Sequence, residues 1–341
     1  MSLAPGKIKH MKALANAAGV IAAAAMDQRG SLRKSIASAK GIDTKQVTDE
    51  MMSEFKVAVS RVLTPHASEI LLDPEWGLPA AKARSSNAGL LLAYELSGYD
   101  NTQPGRLPDL LPHYSVKRIV DAGADAVKIL IYYTPFEDEK INDIKHAFIE
   151  RIGAECETYE IPFFLEFVGY DPQGGDEKGL EFAKRKPDVV KGSMREFSKP
   201  QYKVDVLKVE VPINANYVEG SSVYKGQKAY SRAEALAHFR EAADIATKPF
   251  IYLSAGVSNA QFVESLNMAG EAGTDYSGVL CGRATWKEGI PVYAKQGVKA
   301  LEDWLSTEGV KNIEAVNAAI HGAKPWYTKA GLAAQGTSAQ S

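Results

Sequence analysis

The sequence predicts an α/β fold, a single (β/α)8 TIM barrel with extra N- and C-terminal helices. Eight short apolar runs recur along the chain, and most are separated by amphipathic helical patterns, as in a parallel sheet covered on both faces. The first run leads into MDQRGS, whereas a doubly wound sheet would have a glycine-rich dinucleotide loop there. The chain shows neither a linker nor a repeat, so we expect one domain at residues 1–330 and a disordered tail at 331–341.

The first half of the chain holds four of the predicted strands, in which β-branched and aliphatic residues dominate. In chain order they are GVIAAAAMDQ, ASEILLDPEWG, GLLLAYELSG and ADAVKILIYY. Helical patterns precede and separate them at 7–17, from Leu32, at 48–63, at 80–86 and at 115–122. A proline-rich loop at 99–112 interrupts this order, and we expect it to lie over the top of the domain.

The second half continues the alternation of helix and strand. Its four predicted strands are PFFLEFVGY, VDVLKVEVPI, PFIYLSAGVS and YSGVLCGRAT. The predicted helices are at 141–159, up to Phe197, at 232–246, at 259–272, at 291–305 and at 313–321. A glycine- and serine-rich loop is expected at 214–230. The last two helices follow the eighth strand and are the extra C-terminal elements.

Composition excludes several classes of protein. The 341 residues are 45% hydrophobic and 24% charged, with a net charge of −2, so no basic field favours nucleic acid or an acidic membrane. Two cysteines, Cys156 and Cys281, are too few for a disulfide framework or a zinc cluster. The apolar run 19–26 is too short to cross a bilayer, and the N-terminus does not resemble a signal peptide. We expect a cytoplasmic enzyme or small-molecule binder, and a homo-oligomer is left open.

The sixth run, VDVLKVEVPI, carries a charge where a core is expected. Side chains alternate along a strand, so Val206, Lys208 and Glu210 share the face opposite Leu207 and Val209. A half-exposed strand would place these charges in water. In a strand covered on both faces, however, Lys208 points into the core, where a charge needs a partner or a purpose. Burial favours the neutral form of an amine, and a neutral amine is a nucleophile towards carbonyl groups.

The C-terminal strand ends of such a barrel meet at one mouth, where active sites lie. Those ends bring together Asp27, Lys128, Glu166 and Lys208. A structural interpretation is a salt-bridged plug in the core, but buried ion pairs stabilise proteins poorly. The functional interpretation is amine catalysis. A second cation near the nucleophile favours its neutral form, and a carboxylate carries the protons that imine formation requires.

The ends of the seventh and eighth strands predict a phosphate site. Ser254, Ala255 and Gly256 form a tight turn that alone has only structural meaning, but Gly282 and Arg283 at the neighbouring strand favour an anion. The six histidines fall on helices or loops, so the sequence predicts neither a metal nor another cofactor. The candidate binding residues at this mouth are Gln28, Ser254, Ala255, Gly256, Gly282 and Arg283.

Nine segments resemble one known family, the class I (imine-forming, metal-independent) tagatose-1,6-bisphosphate aldolases. In order they are AMDQRGSL, LLDPEWGLPA, NAGLLLAYE, PGRLPD, ADAVKILIYY, IPFFLEF, DVLKVEVP, YLSAGVS and GVLCGRATW. The resemblance covers residues 8–326. It implies that Lys208 forms the imine and that Glu166 is the acid and base. It also implies that Lys128 and Asp27 complete the polar cluster, and that the binding residues hold a phosphate of the ketose.

Two loops depart from the family pattern, residues 134–136 and 169–176, and both are expected to rim the mouth. They leave the sugar open. The same chemistry on fructose 1,6-bisphosphate or a sulfofructose phosphate is one alternative, and a non-catalytic phosphosugar-binding regulator is another. The intact pair of lysines and Glu166 argue against the regulator, and an isomerase would not need two inward lysines.

Overall fold

Eight parallel strands close into a barrel in this computed structural model, which describes residues 3–96, 98, 99 and 102–330. The strands are β1 Ile21–Met26, β2 Glu69–Leu72, β3 Gly89–Ala93, β4 Ala126–Tyr132, β5 Phe163–Val168, β6 Val206–Glu210, β7 Phe250–Leu253 and β8 Gly278–Cys281. Each strand pairs with the next along the chain, and β1 closes the barrel by aligning Ile21 with Gly278. The predicted fold class is confirmed.

Helices surround the barrel and extend beyond it at both ends of the chain. They are α1 Pro5–Leu14, α2 Gly30–Lys40, α3 Asp49–Leu63, α4 Leu78–Ala83, α5 Val116–Asp121, α6 Glu139–Thr158, α7 Leu180–Phe197, α8 Arg232–Ile245, α9 Asn259–Glu271, α10 Arg283–Trp286, α11 Gly289–Gln296, α12 Val298–Trp304, α13 Val310–Ala319 and α14 Trp326–Lys329. The predicted tail at 331–341 lies outside the described residues. Within the described part, no helix is both long and apolar enough to cross a membrane.

Three predicted segments differ from the structure. The single helix predicted at 291–305 is divided into α11 and α12, because Gly297 adopts a left-handed φ of +83°. The next predicted helix is joined to α12 by one π-helical turn, Leu305–Gly309. The predicted loop at 214–230 contains Val218–Glu219, a short strand paired in parallel with Tyr230–Ser231.

The alternation predicted for the strands places one set of side chains inside the barrel. Ala126, Phe164 and Val206 pack in the interior cluster, while Val127 and Leu207 pack against the surrounding helices. Residues two positions further along each strand keep the same inward orientation. The polar side chains of β4, β5 and β6 therefore converge above an apolar floor.

The opposite end of the barrel is closed by terminal helices. Met11 and Leu14 of α1 and Trp326 of α14 pack against the interior cluster. Lys7 lies 2.6 Å from Asp205, whose carboxylate also accepts the backbone N–H of Phe163 at 2.8 Å. The N-terminal ends of the strands are thus covered, which leaves the C-terminal mouth for a site.

Candidate active site

The structure brings four predicted catalytic residues together inside the barrel. Lys128 lies on β4, Glu166 on β5 and Lys208 on β6, while Asp27 follows β1 directly. Glu166 and Lys208 are aligned across neighbouring strands, so their side chains emerge side by side. Each charge is nearly or fully buried and is paired with an opposite charge.

Lys128 is enclosed by three carboxylates. Its ammonium lies 2.7 Å from Glu95 Oε1, 2.9 Å from Asp27 Oδ2 and 2.9 Å from Glu166 Oε2, with none of the side chain exposed. Three partners match the three donors of an ammonium group. Burial alone would lower the pKa of Lys128, but the surrounding carboxylates raise it well above the usual value for lysine. Lys128 is therefore a fixed cation.

Lys208 has a different environment. Its Nζ donates to Glu166 Oε2 at 2.7 Å, the same oxygen that faces Lys128, and its side chain is 4% exposed. Burial alone would raise the pKa of Glu166, but the charges of Lys128 and Lys208 lower it. An ionised carboxylate in contact with a less enclosed amine is placed to take a proton from it.

Asp27 is held in this cluster by a lysine that the sequence analysis missed. Burial alone would raise the pKa of Asp27, but the charges of Lys128 and Lys208 lower it well below its usual range. Lys56 of α3 donates to the carbonyls on both sides of Asp27, those of residues 26 (2.7 Å) and 28 (2.8 Å), and lies 2.6 Å from Asp73. Lys56 is the one charged residue among the buried positions of α3, and that break in the apolar face is the signal that could have found it.

Glu95 is a second missed residue. It follows β3 on the inward side, two positions after Ala93, so the rule that selected the other strand ends would have selected it too. Its Oε2 accepts the backbone N–H of Leu130 at 3.1 Å, and burial raises its pKa despite the nearby charges of Lys128 and Arg29. Glu95 is therefore the carboxylate of this cluster that is most readily protonated.

The turn after β7 is built around an arginine. Ala255 and Gly256 both adopt left-handed φ values, +48° and +73°, and Val257 donates to the carbonyl of Ser254 at 3.0 Å. A Cβ atom on Gly256 would lie 2.7 Å from the guanidinium carbon of Arg283. The left-handed φ favours glycine at this position, and the Arg283 guanidinium lies against the turn. The structure therefore brings the turn after β7 into contact with Arg283, the two features that predicted a phosphate site.

Gln28 and Gly282 join the ends of β1 and β8. The Gln28 side chain donates to Asp27 Oδ1 at 3.1 Å. A Cβ atom on Gly282 would lie 3.5 Å from that amide nitrogen and 2.9 Å from the carbonyl oxygen of Ala25. The two predicted binding residues are neighbours. Gln28 therefore connects Asp27 to the end of β8, which Arg283 follows.

A cavity of about 630 Å³ opens beside this turn. Val168 and Glu210 line this cavity. Val168 lies two residues beyond Glu166 on β5, and Glu210 lies two residues beyond Lys208 on β6, but Glu166 and Lys208 do not themselves line the cavity. Two residues of a strand span about 6–7 Å, so Glu166 and Lys208 lie one layer of side chains deeper in the barrel than the cavity floor.

We place the chemistry at Lys208 and Glu166, because a second buried cation, Lys128, lies 2.9 Å from the same Glu166 oxygen. The cavity has its own amine–carboxylate pair, Lys186 and Glu210, 3.2 Å apart. Besides Arg283 and Lys186, the cations that line the cavity are Lys178, Lys225 and Lys287.

Replacing Arg283 by alanine is expected to weaken substrate use without unfolding the protein, since Arg283 is exposed. A charge-assisted contact contributes about 1.5–3 kcal/mol, so we expect KM to rise strongly and kcat/KM to fall by about tenfold or more. Steady-state kinetics on a ketose bisphosphate, the substrate class that the resemblance implies, measure this. Unchanged kinetics would place the phosphate site elsewhere.

The remaining predicted features have structural roles. Trp286, which follows the eighth strand, is buried and donates to the carbonyl of Ala25 at 2.8 Å, so it packs in the core. All six histidines lie outside the barrel strands, and three of them are on α1, α6 and α8. Among the described residues, no group of three or more His, Cys, Asp and Glu side chains is arranged to hold a metal ion.

Comparison with known proteins agrees with this geometry. Residues 21–288 match the model of the DeoC/LacD family of aldolases. A protein named tagatose 1,6-diphosphate aldolase from Listeria monocytogenes is 52% identical over 332 residues, covering 97% of this chain and 96% of that protein. Tagatose 1,6-diphosphate aldolase 2 from Enterococcus faecalis is 53% identical over 330 residues, covering 96% and 98%.

Solved structures share the fold at low sequence identity. Fructose-bisphosphate aldolase from Plasmodium falciparum superposes with a TM-score of 0.69 at 13% identity, covering 94% of this chain and 97% of that one. Such a similarity supports the barrel alone. The family match and the two close relatives go further, and together they establish that this chain belongs to the DeoC/LacD family of aldolases.

Proposed function

We propose that this chain is a class I aldolase that cleaves tagatose 1,6-bisphosphate reversibly to dihydroxyacetone phosphate and glyceraldehyde 3-phosphate. Aldol cleavage follows from the family, and the relatives' names supply the sugar. The observation that carries the mechanism is the 2.7 Å contact between Lys208 and Glu166 beside a fixed Lys128. It supports imine chemistry, because it places an amine, a base and a permanent cation together.

Lys208, and not Lys128, is the proposed nucleophile. All three donors of Lys128 are matched by carboxylates, whereas one carboxylate oxygen contacts Lys208. Attack on a carbonyl requires a free lone pair, so the lysine with fewer partners is favoured. Lys128 lies 2.9 Å from the same Glu166 oxygen and holds that carboxylate beside the nucleophile.

The first half of the reaction forms the imine. The Lys208 nitrogen gives up two of the three protons of its ammonium form, one before and one after it adds to the C2 ketone, and Glu166 accepts each in turn. The same carboxyl passes both protons to the C2 oxygen, which leaves as water, while the third proton stays on the nitrogen of the imine. The protonated imine withdraws electrons from the C3–C4 bond in place of a metal ion.

The second half breaks the carbon skeleton. A base, Glu166 or Asp27, removes the proton of the C4 hydroxyl, and the electrons of the C3–C4 bond move into the imine to give an enamine. Glyceraldehyde 3-phosphate leaves. Protonation at C3 regenerates the imine, and hydrolysis consumes one water molecule and releases dihydroxyacetone phosphate with free Lys208.

Turnover of several ketose phosphates tests the substrate. The purified protein is assayed with tagatose 1,6-bisphosphate, fructose 1,6-bisphosphate and sulfofructose 1-phosphate, with triose phosphate release as the measurement. We expect the highest kcat/KM for tagatose 1,6-bisphosphate. A clear preference for another sugar would keep the aldol chemistry and change the substrate, while no turnover of any of them would contradict the proposed activity.

Activity is expected to survive exhaustive dialysis against a chelator. In this mechanism the protonated imine replaces the carbonyl group and withdraws the electrons, so no metal ion is needed. The assay compares dialysed and untreated protein on the same substrate. A large loss that added zinc restores would exclude the class I mechanism, and a matched sample dialysed without chelator controls for simple inactivation.

A further inference from the structure

Arg106, in the loop between β3 and α5, lies among aromatic rings at the mouth of the barrel. Its guanidinium carbon is 5.1 Å from the ring centre of Tyr99, 5.2 Å from that of Tyr132 and 4.8 Å from that of Tyr170. A cation within about 6 Å of an aromatic ring is attracted to its face. Tyr99 follows β3, Tyr132 ends β4 and Tyr170 follows β5, so three neighbouring strands fix the position of this charge.

An ion pair also holds Arg106 at the cavity. Its Nη2 lies 2.5 Å from Glu177 Oε1, and Glu177 lines the cavity that contains the arginine turn. The Tyr170 hydroxyl donates to Glu137 at 2.6 Å and accepts from Lys145 at 3.0 Å. These hydrogen bonds hold the ring of Tyr170 in place, so Arg106 is positioned both by its ion pair with Glu177 and by a fixed aromatic ring.

The backbone of Arg106 is strained. Its φ is +50°, in the left-handed region, where a residue other than glycine typically costs about 1–3 kcal/mol. Such a conformation persists where the surroundings enforce it, and it is found preferentially at ligand sites. Here the rings and the ion pair enforce it, which is expected if the position of the guanidinium matters for function.

Strand order places Arg106 across the mouth from Arg283. Around the closed barrel the order is β1, β8, β7, β6, β5, β4, β3, β2, so β8 lies opposite β4 and β7 opposite β3. The two phosphates of an open-chain ketose bisphosphate are at opposite ends of six carbons. With C2 at Lys208 on β6 and the first phosphate at Arg283, the C6 end extends towards β3 and β4.

Two other cations on that side, Arg29 and Lys128, are already enclosed. Arg29 is 3% exposed and contacts Glu75 and the backbone carbonyl of Glu95, while Lys128 has no exposed side-chain surface. The side chain of Arg106 is 22% exposed at the rim. A planar guanidinium binds phosphate with two parallel hydrogen bonds. We propose that Arg106 binds the second, C6 phosphate of the substrate and so selects ketose bisphosphates over 1-phosphates.

This inference rests on the proposed function, but it is tested without turnover. Hexitol 1,6-bisphosphate and hexitol 1-phosphate lack the ketone and cannot form an imine, and calorimetry measures their affinities. The wild-type protein is expected to bind the bisphosphate more tightly. In Arg106→Ala the bisphosphate affinity should fall by about 10- to 100-fold, the range expected for a charge-assisted contact, with the monophosphate affinity unchanged. Arg106→Lys should lose less, since it keeps the charge but not the fork.

The matched control is Arg151→Ala, which removes an exposed arginine of α6 and should leave both affinities unchanged. Melting temperatures establish that each variant is folded, and Arg106→Lys carries the test if the alanine variant is not. An equal loss for both ligands, no loss for either, or no wild-type preference for the bisphosphate would overturn the role of Arg106. Absence of an imine adduct, by contrast, would contradict the aldolase mechanism and leave this binding result standing.

Discussion

Lys208→Met is expected to abolish turnover and to prevent covalent labelling. Borohydride reduces a protonated imine to a secondary amine, so wild-type protein treated in the presence of substrate should be irreversibly inactivated. Peptide mapping should then place the adduct in the segment that contains Lys208. The variant should still fold, because it removes a buried amine together with its cost of desolvation.

Lys128→Met is the matched variant, since it removes the other inward lysine of the same cluster. It should still be labelled, but more slowly, because Glu166 loses the fixed cation that contacts it beside the nucleophile. Removing Lys128 also leaves three carboxylates without their shared partner, so its melting temperature should fall further than that of Lys208→Met. An adduct on Lys128 would exchange the two roles, and no adduct in the wild-type protein would indicate a binding protein.

Glu166→Gln is expected to lower kcat by about 10²–10⁴-fold, the usual contribution of general acid–base catalysis. Glutamine keeps the shape and one hydrogen-bond acceptor for Lys208 but carries no proton between substrate and amine. The fall should appear in kcat more than in KM, since no substrate phosphate is assigned to this residue. Steady-state kinetics and a melting curve of the folded variant measure both effects.

Asp27→Asn is the companion to that experiment. Both carboxylates contact Lys128, and the pKa of each is lowered by the neighbouring lysines. Only Glu166 also contacts Lys208. A near-wild-type rate for Glu166→Gln together with a large loss for Asp27→Asn would move the acid–base role to Asp27.

Patterns of short range were sufficient to predict the barrel. Alternation along β6 predicted that Lys208 points inward, and the same rule placed Lys128 and Glu166 beside it. Helix boundaries were less accurate after β8, since one glycine conformation divides α11 from α12. Such a φ depends on the surrounding packing, and the sequence permits glycine to adopt either hand.

The contacts of Lys56 and Arg106 could be found only in three dimensions. Lys56 reaches the backbone on either side of Asp27 from a helix about thirty residues later in the chain, with Asp73 as its ion partner. Arg106 is fixed by rings from three strands and by Glu177. Neither partnership leaves a periodic pattern, because the partners are far apart in sequence.

By itself, then, the sequence determined the fold class and most of the residues that the strand ends deliver to the C-terminal mouth, where we propose that the chemistry occurs. The tertiary structure decided how the two lysines differ. Strand alternation treats Lys128 and Lys208 alike, since both are inward residues of buried strands. Their surroundings do not, because Glu95 and Asp27 reach Lys128 from β3 and β1 while Glu166 alone reaches Lys208. The number of carboxylates around each amine is a property of packing among distant segments, and on it we base the proposal that Lys128 is the fixed cation and Lys208 the nucleophile.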